Sequence, residues 1–188
     1  TTLMVGRMIK ADMFETYKKL PPVNGITVQG IDSASSGQDK DDYFAHVSLF
    51  ITKEPLPKVY LLSYKKAKIS VTAQYEYCER KHKDEDPLRT FVESNAGQAY
   101  FAEGLKSKGL RVQKIFSTKD KVTEMYKVMP IMEDKRFFVL EEHADFVNDM
   151  VAFPDGDDDD LPDACRIALK GAIYGKVKRQ REREPGVI

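Results

Sequence analysis

Ile26-Thr27-Val28-Gln29-Gly30-Ile31-Asp32 alternates apolar and polar residues and closes on a carboxylate. Alternation with period two is the pattern of a β-strand. Asn24-Gly25 and Pro21-Pro22 mark a turn just before it. Downstream, Ser33 to Asp42 forms a small polar loop containing Gly37. Tyr43 to Thr52 then reads as a second strand and Lys58 to Lys66 as a third. The short connections predict an antiparallel meander. Upstream, Met13, Phe14 and Tyr17 stand at helical spacing, which predicts a short helix over Asp12 to Lys19.

Further along, the pattern changes. A helix is expected over Thr72 to Lys83, followed by a fourth strand, Arg89 to Ser94, whose Thr90-Phe91-Val92-Glu93 again ends on a carboxylate. Asn95-Ala96-Gly97 turns the chain into a helix that runs to Lys108 and is capped by Gly109. A fifth strand spans Arg111 to Phe116. Helices over Lys119 to Met132 and Glu141 to Val151 flank a short strand, Arg136 to Leu140, and the last helix covers Leu161 to Tyr174. This order predicts an α/β fold with a five-stranded mixed sheet flanked by helices. The right-handed crossover rule sets strand four beside strand one, with the meander on the other side. Such a contact is a topological switch point, where ligands gather at the carboxyl ends of strands. Asp32 and Glu93 both end there.

A third acidic element follows. Asp157-Asp158-Asp159-Asp160-Leu161-Pro162-Asp163-Ala164 carries five carboxylates within seven residues, immediately before the last helix. With Asp160 as N-cap, Asp163 falls at N3, on the same side of the helix start. By itself the run reads as a solvated cap favoured by the helix dipole. Beside Asp32 and Glu93 it reads as the third wall of a site for a hard divalent cation, since oxygen donors without His or Cys suit Mg²⁺ or Mn²⁺. Two such ions, about 3.5–4 Å apart, serve phosphodiester hydrolysis. Asp32 is the candidate bridging ligand, Glu93 holds one ion, and Asp160 or Asp163 the other.

Composition narrows the alternatives. A chain of 188 residues, 41% hydrophobic, suits one domain with a sizeable core. Lys+Arg and Asp+Glu balance at 30 each, which argues against strong non-specific nucleic-acid binding by this chain alone. Cys78 and Cys165 form no CxxC pair and read as free thiols. No apolar run approaches the ~18 residues of a membrane span. No Gly-rich GKT or GKS loop is present, so the chain has no P-loop ATPase site of its own.

These residues also carry a resemblance. In order, Gly6-Arg7-Met8-Ile9-Lys10 with Phe14 and Tyr17, then Gly30-Ile31-Asp32-Ser33-Ala34 with Gly37 and Asp42-Tyr43, resemble the lead-in and first acidic motif of the nuclease domain of the large terminase subunit of tailed phages. Val92-Glu93-Ser94-Asn95-Ala96-Gly97 resembles its second acidic motif and Lys119-Asp120-Lys121 its DK element. Phe153-Pro154 followed by Asp159-Asp160-Leu161-Pro162-Asp163-Ala164 resembles its closing block. Where the family often has His before the paired Asp, this chain has Asp158, a group that cannot donate when ionised.

The resemblance implies a ribonuclease H-like (integrase-like) fold and a metal-dependent endonuclease that cuts concatemeric viral double-stranded DNA during packaging, with two Mg²⁺ or Mn²⁺ ions. It assigns Asp32, Glu93, Asp160 and Asp163 to catalysis and to metal, with Asp159 as a further ligand, and Lys119 and Lys121 to DNA phosphate. It implies residues 1–22 as a linker after an absent ATPase domain, 23–174 as the nuclease domain and 175–188 as a charged mobile tail. Its partners would be double-stranded DNA, portal protein, the small terminase subunit and the ATPase domain of the same chain, in host cytoplasm and without a membrane. Two other readings remain open: another ribonuclease H-like nuclease, acting on four-way junctions or RNA–DNA hybrids, and a non-catalytic docking module whose acidic block is only a cap.

Overall fold

The computed structural model describes residues 7–34, 43–94, 98–117 and 120–174. Among these residues seven strands form one mixed sheet. In chain order they are β1 (Phe14–Thr16), β2 (Gly25–Asp32), β3 (Phe44–Thr52), β4 (Val59–Ala67), β5 (Arg89–Glu93), β6 (Val112–Ile115) and β7 (Phe137–Val139). Their spatial order is β1-β7-β4-β3-β2-β5-β6. The meander β2-β3-β4 is antiparallel, with Asp32 opposite Ala45 and Ala45 opposite Lys66. β5 runs parallel to β2, with Ile31 opposite Val92, and β6 runs parallel to β5. The expected switch point between β2 and β5 is therefore present.

The sheet has two strands more than expected. β7, foreseen as a short strand, joins the sheet beside β4 and is extended by β1. β1 also replaces the helix expected over Asp12 to Lys19, of which only a 3₁₀ turn at Ala11–Met13 forms. The window is too short for helical spacing to decide. Tertiary packing decides instead, because Phe14 sets its ring edge-on to Phe137 at 5.3 Å and to Phe146 at 6.3 Å.

Among the described residues five helices cover the sheet: α1 (Val71–Glu85), α2 (Gln98–Ser107), α3 (Lys121–Glu133), α4 (Ala144–Ala152) and α5 (Asp160–Leu169). Ser70 caps α1 and Asp120 caps α3, each accepting from the backbone N–H three residues on. Gly109, with φ of 85°, ends the turn after α2. The helix expected from Glu141 begins as a 3₁₀ turn, Glu141–His143, before α4. The last helix ends in a π-turn over Lys170–Tyr174.

Side chains alternate between two cores. Val28, Val47, Leu49 and Phe91 pack with α3, α4 and α5, while Ile31, Phe44 and Val92 pack with α1 and α2. α5 lies directly on β2. A Cβ at Gly30 would meet the carbonyl oxygen of Ala164 at 2.0 Å and the backbone nitrogen of Ala168 at 2.7 Å. Glycine is thus what allows helix and strand backbones to approach this closely. Residues 161–169 are all buried, including Asp163 and Arg166. Charged groups in so enclosed a helix must find partners.

Candidate active site

β2 and β5 end side by side. Ile31 and Val92 are in register and face α1 and α2, so the next residues, Asp32 and Glu93, face α5. Asp32 is 9% exposed and accepts a 2.6 Å hydrogen bond from Gln98 Nε2 at the start of α2. The close approach of α5 at Gly30 brings its first turns over this strand end. The helix begins one residue earlier than expected: Asp159 occupies the N-cap and Asp160 the first helical position. Asp163 N donates to Asp159 O at 2.8 Å, placing Asp163 at N4 rather than N3.

Burial raises the pKa of Asp32 well above the ordinary carboxylate value, and the charges of Asp163, Asp160 and Glu93 push it further. Lys121 acts the other way. The three acidic elements expected to converge thus act on one carboxyl group. Asp163 is also raised, chiefly by burial, against the pull of Arg166 and Lys121.

Two cations stand among these acids. Lys121, in the first turn of α3, lies 2.8 Å from Asp159 Oδ2 and 2.5 Å from Asp163 Oδ2. Arg166 lies one helical turn after Asp163. Its Nε donates to Asp163 Oδ1 at 3.1 Å, its Nη2 reaches Glu93 Oε1 at 3.2 Å, and its Nη1 reaches Ser117 Oγ at 3.3 Å. Burial opposes its charge, but Asp163 and Glu93 outweigh burial and raise its pKa. Lys170 continues the chain of contacts, at 2.7 Å from the buried Glu124 and 2.9 Å from Phe116 O.

The remaining acids of the block divide. Asp157 is exposed, as expected. Asp158, also expected in solvent, instead meets Lys66 of β4 at 3.2 Å, and Lys66 pairs with Asp149 of α4 at 2.5 Å. Lys66 faces the site because it lies two strands across from Asp32 in register. Lys119, Asn95 and Gly97 lie outside the described residues. Reading the sequence missed Arg166, Lys66 and the orienting role of Gln98. Only Arg166 had a signal, its i,i+3 spacing from Asp163.

The donors suit a hard divalent cation by chemistry: Asp32, Glu93 and Asp160 offer carboxylate oxygens without sulfur or imidazole. Among the described residues, however, no three acidic, His or Cys side chains stand together as a ready metal cage. Lys121 and Arg166 hold positions between the acids.

No family model matches the chain, and no curated protein sequence matches it. Solved structures do. The large terminase nuclease of the thermophilic phage G20c with bound zinc aligns at a TM-score of 0.63 and 14% identity, over 85% of this chain and 95% of that one. The same nuclease is also known with magnesium and with cobalt. The large terminase of a thermophilic bacteriophage in complex with ADP aligns at a TM-score of 0.67 and 13% identity, over 88% of this chain but 45% of that one. Thermus thermophilus RuvC aligns at 0.52 and 19% identity, over 79% of this chain and 95% of that one. The chain therefore carries a ribonuclease H-like fold, the architecture shared by phage large terminase nuclease domains and RuvC.

Proposed function

We propose that this chain is a divalent-metal-dependent endonuclease, the nuclease part of a phage large terminase, which cuts concatemeric viral double-stranded DNA during packaging. The observation that carries the reading is the convergence on Asp32. Asp32 and Glu93 end adjacent parallel strands, and Arg166 ties Glu93 to Asp163 of α5, whose charge, with that of Asp160, helps raise the Asp32 pKa. The likeness to nuclease folds crystallised with zinc, magnesium and cobalt supports it.

In this reading Asp32, Glu93, Asp160 and Asp163 would hold two Mg²⁺ or Mn²⁺ ions, with Asp159 as a further ligand. Bound divalent ions supply Lewis-acid stabilisation of the phosphodiester and a water nucleophile of lowered pKa. The chain's own residues do the positioning. Gln98 fixes the Asp32 carboxylate, and the rigid β2 and β5 ends set the spacing of Asp32 and Glu93. Lys121 sits on a flexible stem, half exposed beside Asp159 and Asp163, where its ammonium would serve a DNA phosphate at the edge of the acidic wall. Portal protein, small subunit and an ATPase domain are the partners this role requires.

Plasmid nicking with Mn²⁺ tests the proposal. Asp32→Ala should lower cutting by at least ~100-fold, the usual cost of removing a central electrostatic group. Undiminished cutting would remove Asp32 from the site. The likeness to RuvC favours a second reading, a junction nuclease using the same acids. Preference for a four-way junction over linear duplex would replace the packaging role with that one.

A further inference from the structure

Tyr100 and Phe116 are the most exposed large apolar side chains among the described residues, at 81% and 70%. Both stand at the carboxyl end of the sheet, next to groups that hold the acids. Tyr100 lies two residues after Gln98, which donates to Asp32. Phe116 precedes Ser117, whose hydroxyl meets Arg166 beside Glu93. The two rings also belong to one rim. Glu103 of α2 pairs with Lys114 of β6 at 2.5 Å. Tyr100 lies one helical turn before Glu103, toward the carboxyl end of β5 where α2 begins. Ile115 packs into the core with α3 and α5, so strand alternation returns Phe116 to the α2 side, two residues beyond Lys114. One step along the helix and one along the strand from the same ion pair thus lead to the two rings. Lys106 also reaches Glu103, at 3.4 Å, so two lysines share one carboxylate and leave a surplus positive charge below the rim.

We propose that Tyr100 and Phe116 form a base-stacking rim that holds unpaired nucleotides of one DNA strand beside the acidic wall. Exposed aromatic rings above a positive surplus are the parts of a single-strand platform, and stacking is sequence-tolerant because every base has a π-face. Size argues against a protein partner. Two aromatic side chains offer at most about 500 Å², below the roughly 800 Å² that each partner buries in a stable interface. A nucleobase needs only one ring face. The inference rests on the nuclease reading above and adds a substrate preference to it: DNA opened near the cut is held better than fully paired duplex.

Fluorescence anisotropy with a short oligothymidylate at low salt, without divalent ions so that nothing is cut, tests this. Tyr100→Ala and Phe116→Ala should each weaken binding about tenfold, the usual worth of one stacked base. Phe116→Trp should keep the affinity and Phe116→Leu should lose it, since stacking needs a ring face rather than apolar area. Affinity for a fully paired hairpin should change by less than roughly twofold. Both positions are exposed, so the variants should melt with the wild-type chain. Plasmid nicking by the wild-type chain with Mn²⁺, joined to undiminished oligothymidylate binding by the double alanine variant, overturns the rim and leaves the nuclease reading standing. A wild-type dimer in sedimentation that the double alanine variant loses, with oligothymidylate affinity unchanged, makes the rings a protein contact and also overturns the rim. Neither nicking nor oligothymidylate binding by the wild-type chain overturns the nuclease reading and this inference with it.

Discussion

Asp32 carries a free-energy cost in the folded chain. Burial and the neighbouring Asp163, Asp160 and Glu93 all raise its pKa, so the native state binds the proton more tightly than the unfolded chain does. Stability then falls as pH rises from the ordinary value of 3.8 through the raised native value. Without divalent ions, Asp32→Asn should therefore stabilise the protein at neutral pH by about 0.5–2 kcal/mol in urea unfolding while abolishing nicking, an exchange of stability for function. A loss of stability would mean that the Asp32 charge is well compensated. Asp32 and Glu93 were legible in the sequence because a carboxylate at a strand end breaks the apolar alternation visibly. Asp160 and Asp163 were legible as a charge run. Arg166 was not, since an arginine on a helix ordinarily reads as surface, and only burial of the whole of α5 makes it a partner of Glu93.

At the scale of elements, the contact of α5 with β2 controls the site. Gly30→Val would drive side-chain atoms into the Ala164 carbonyl and the Ala168 backbone. Helix backbone cannot yield as a flexible side chain does. The substitution should cost about 1–3 kcal/mol or more and lower Mn²⁺ affinity, because Asp160 moves away from Asp32. Unchanged metal affinity with lowered stability would uncouple the helix position from the site. The opposite face holds a separate polar cluster. Glu85 of α1 accepts from Ser63 Oγ at 2.7 Å, Lys81 Nζ at 2.9 Å and Gln29 Nε2 at 3.0 Å, and Thr90 Oγ1 donates to Gln29 at 3.0 Å. Burial opposes the charge of Glu85, but the surrounding donors prevail and hold its pKa below the ordinary 4.5. Its contribution is complete above pH 4.5 and is lost as pH falls through the lowered native value. Glu85→Gln should thus flatten the acid limb of a pH–stability profile measured by circular dichroism; an unchanged limb would exclude this cluster as its source. β1 shows the limit of local patterns: Met13, Phe14 and Tyr17 fit helical spacing, yet pairing with β7 and burial of Phe14 against Phe137 win.

Over the whole molecule, balanced charge has its own consequence. With 30 basic and 30 acidic residues, and Lys66, Lys121, Arg166 and Lys170 all engaged by acids, the described surface offers duplex DNA few uncommitted cations near the site. In fluorescence anisotropy without divalent ions, the slope of log K against log salt should be shallow, equivalent to roughly three phosphate contacts or fewer. A steep slope would reveal a basic path away from the acidic wall. Cys78 and Cys165 are free thiols, as expected, and both are buried. Alternation, turn residues and helical periods in the sequence alone determined the meander, the crossovers and the strand ends that carry Asp32 and Glu93, because those signals are local and repeat along the chain. Only the tertiary structure decided that α5 lies against Gly30, that Arg166 joins Glu93 to Asp163 and that Lys121 crosses from α3 to the acids. Those contacts join residues 38 or more positions apart, or turn on burial, and both are properties of packing that no local pattern records.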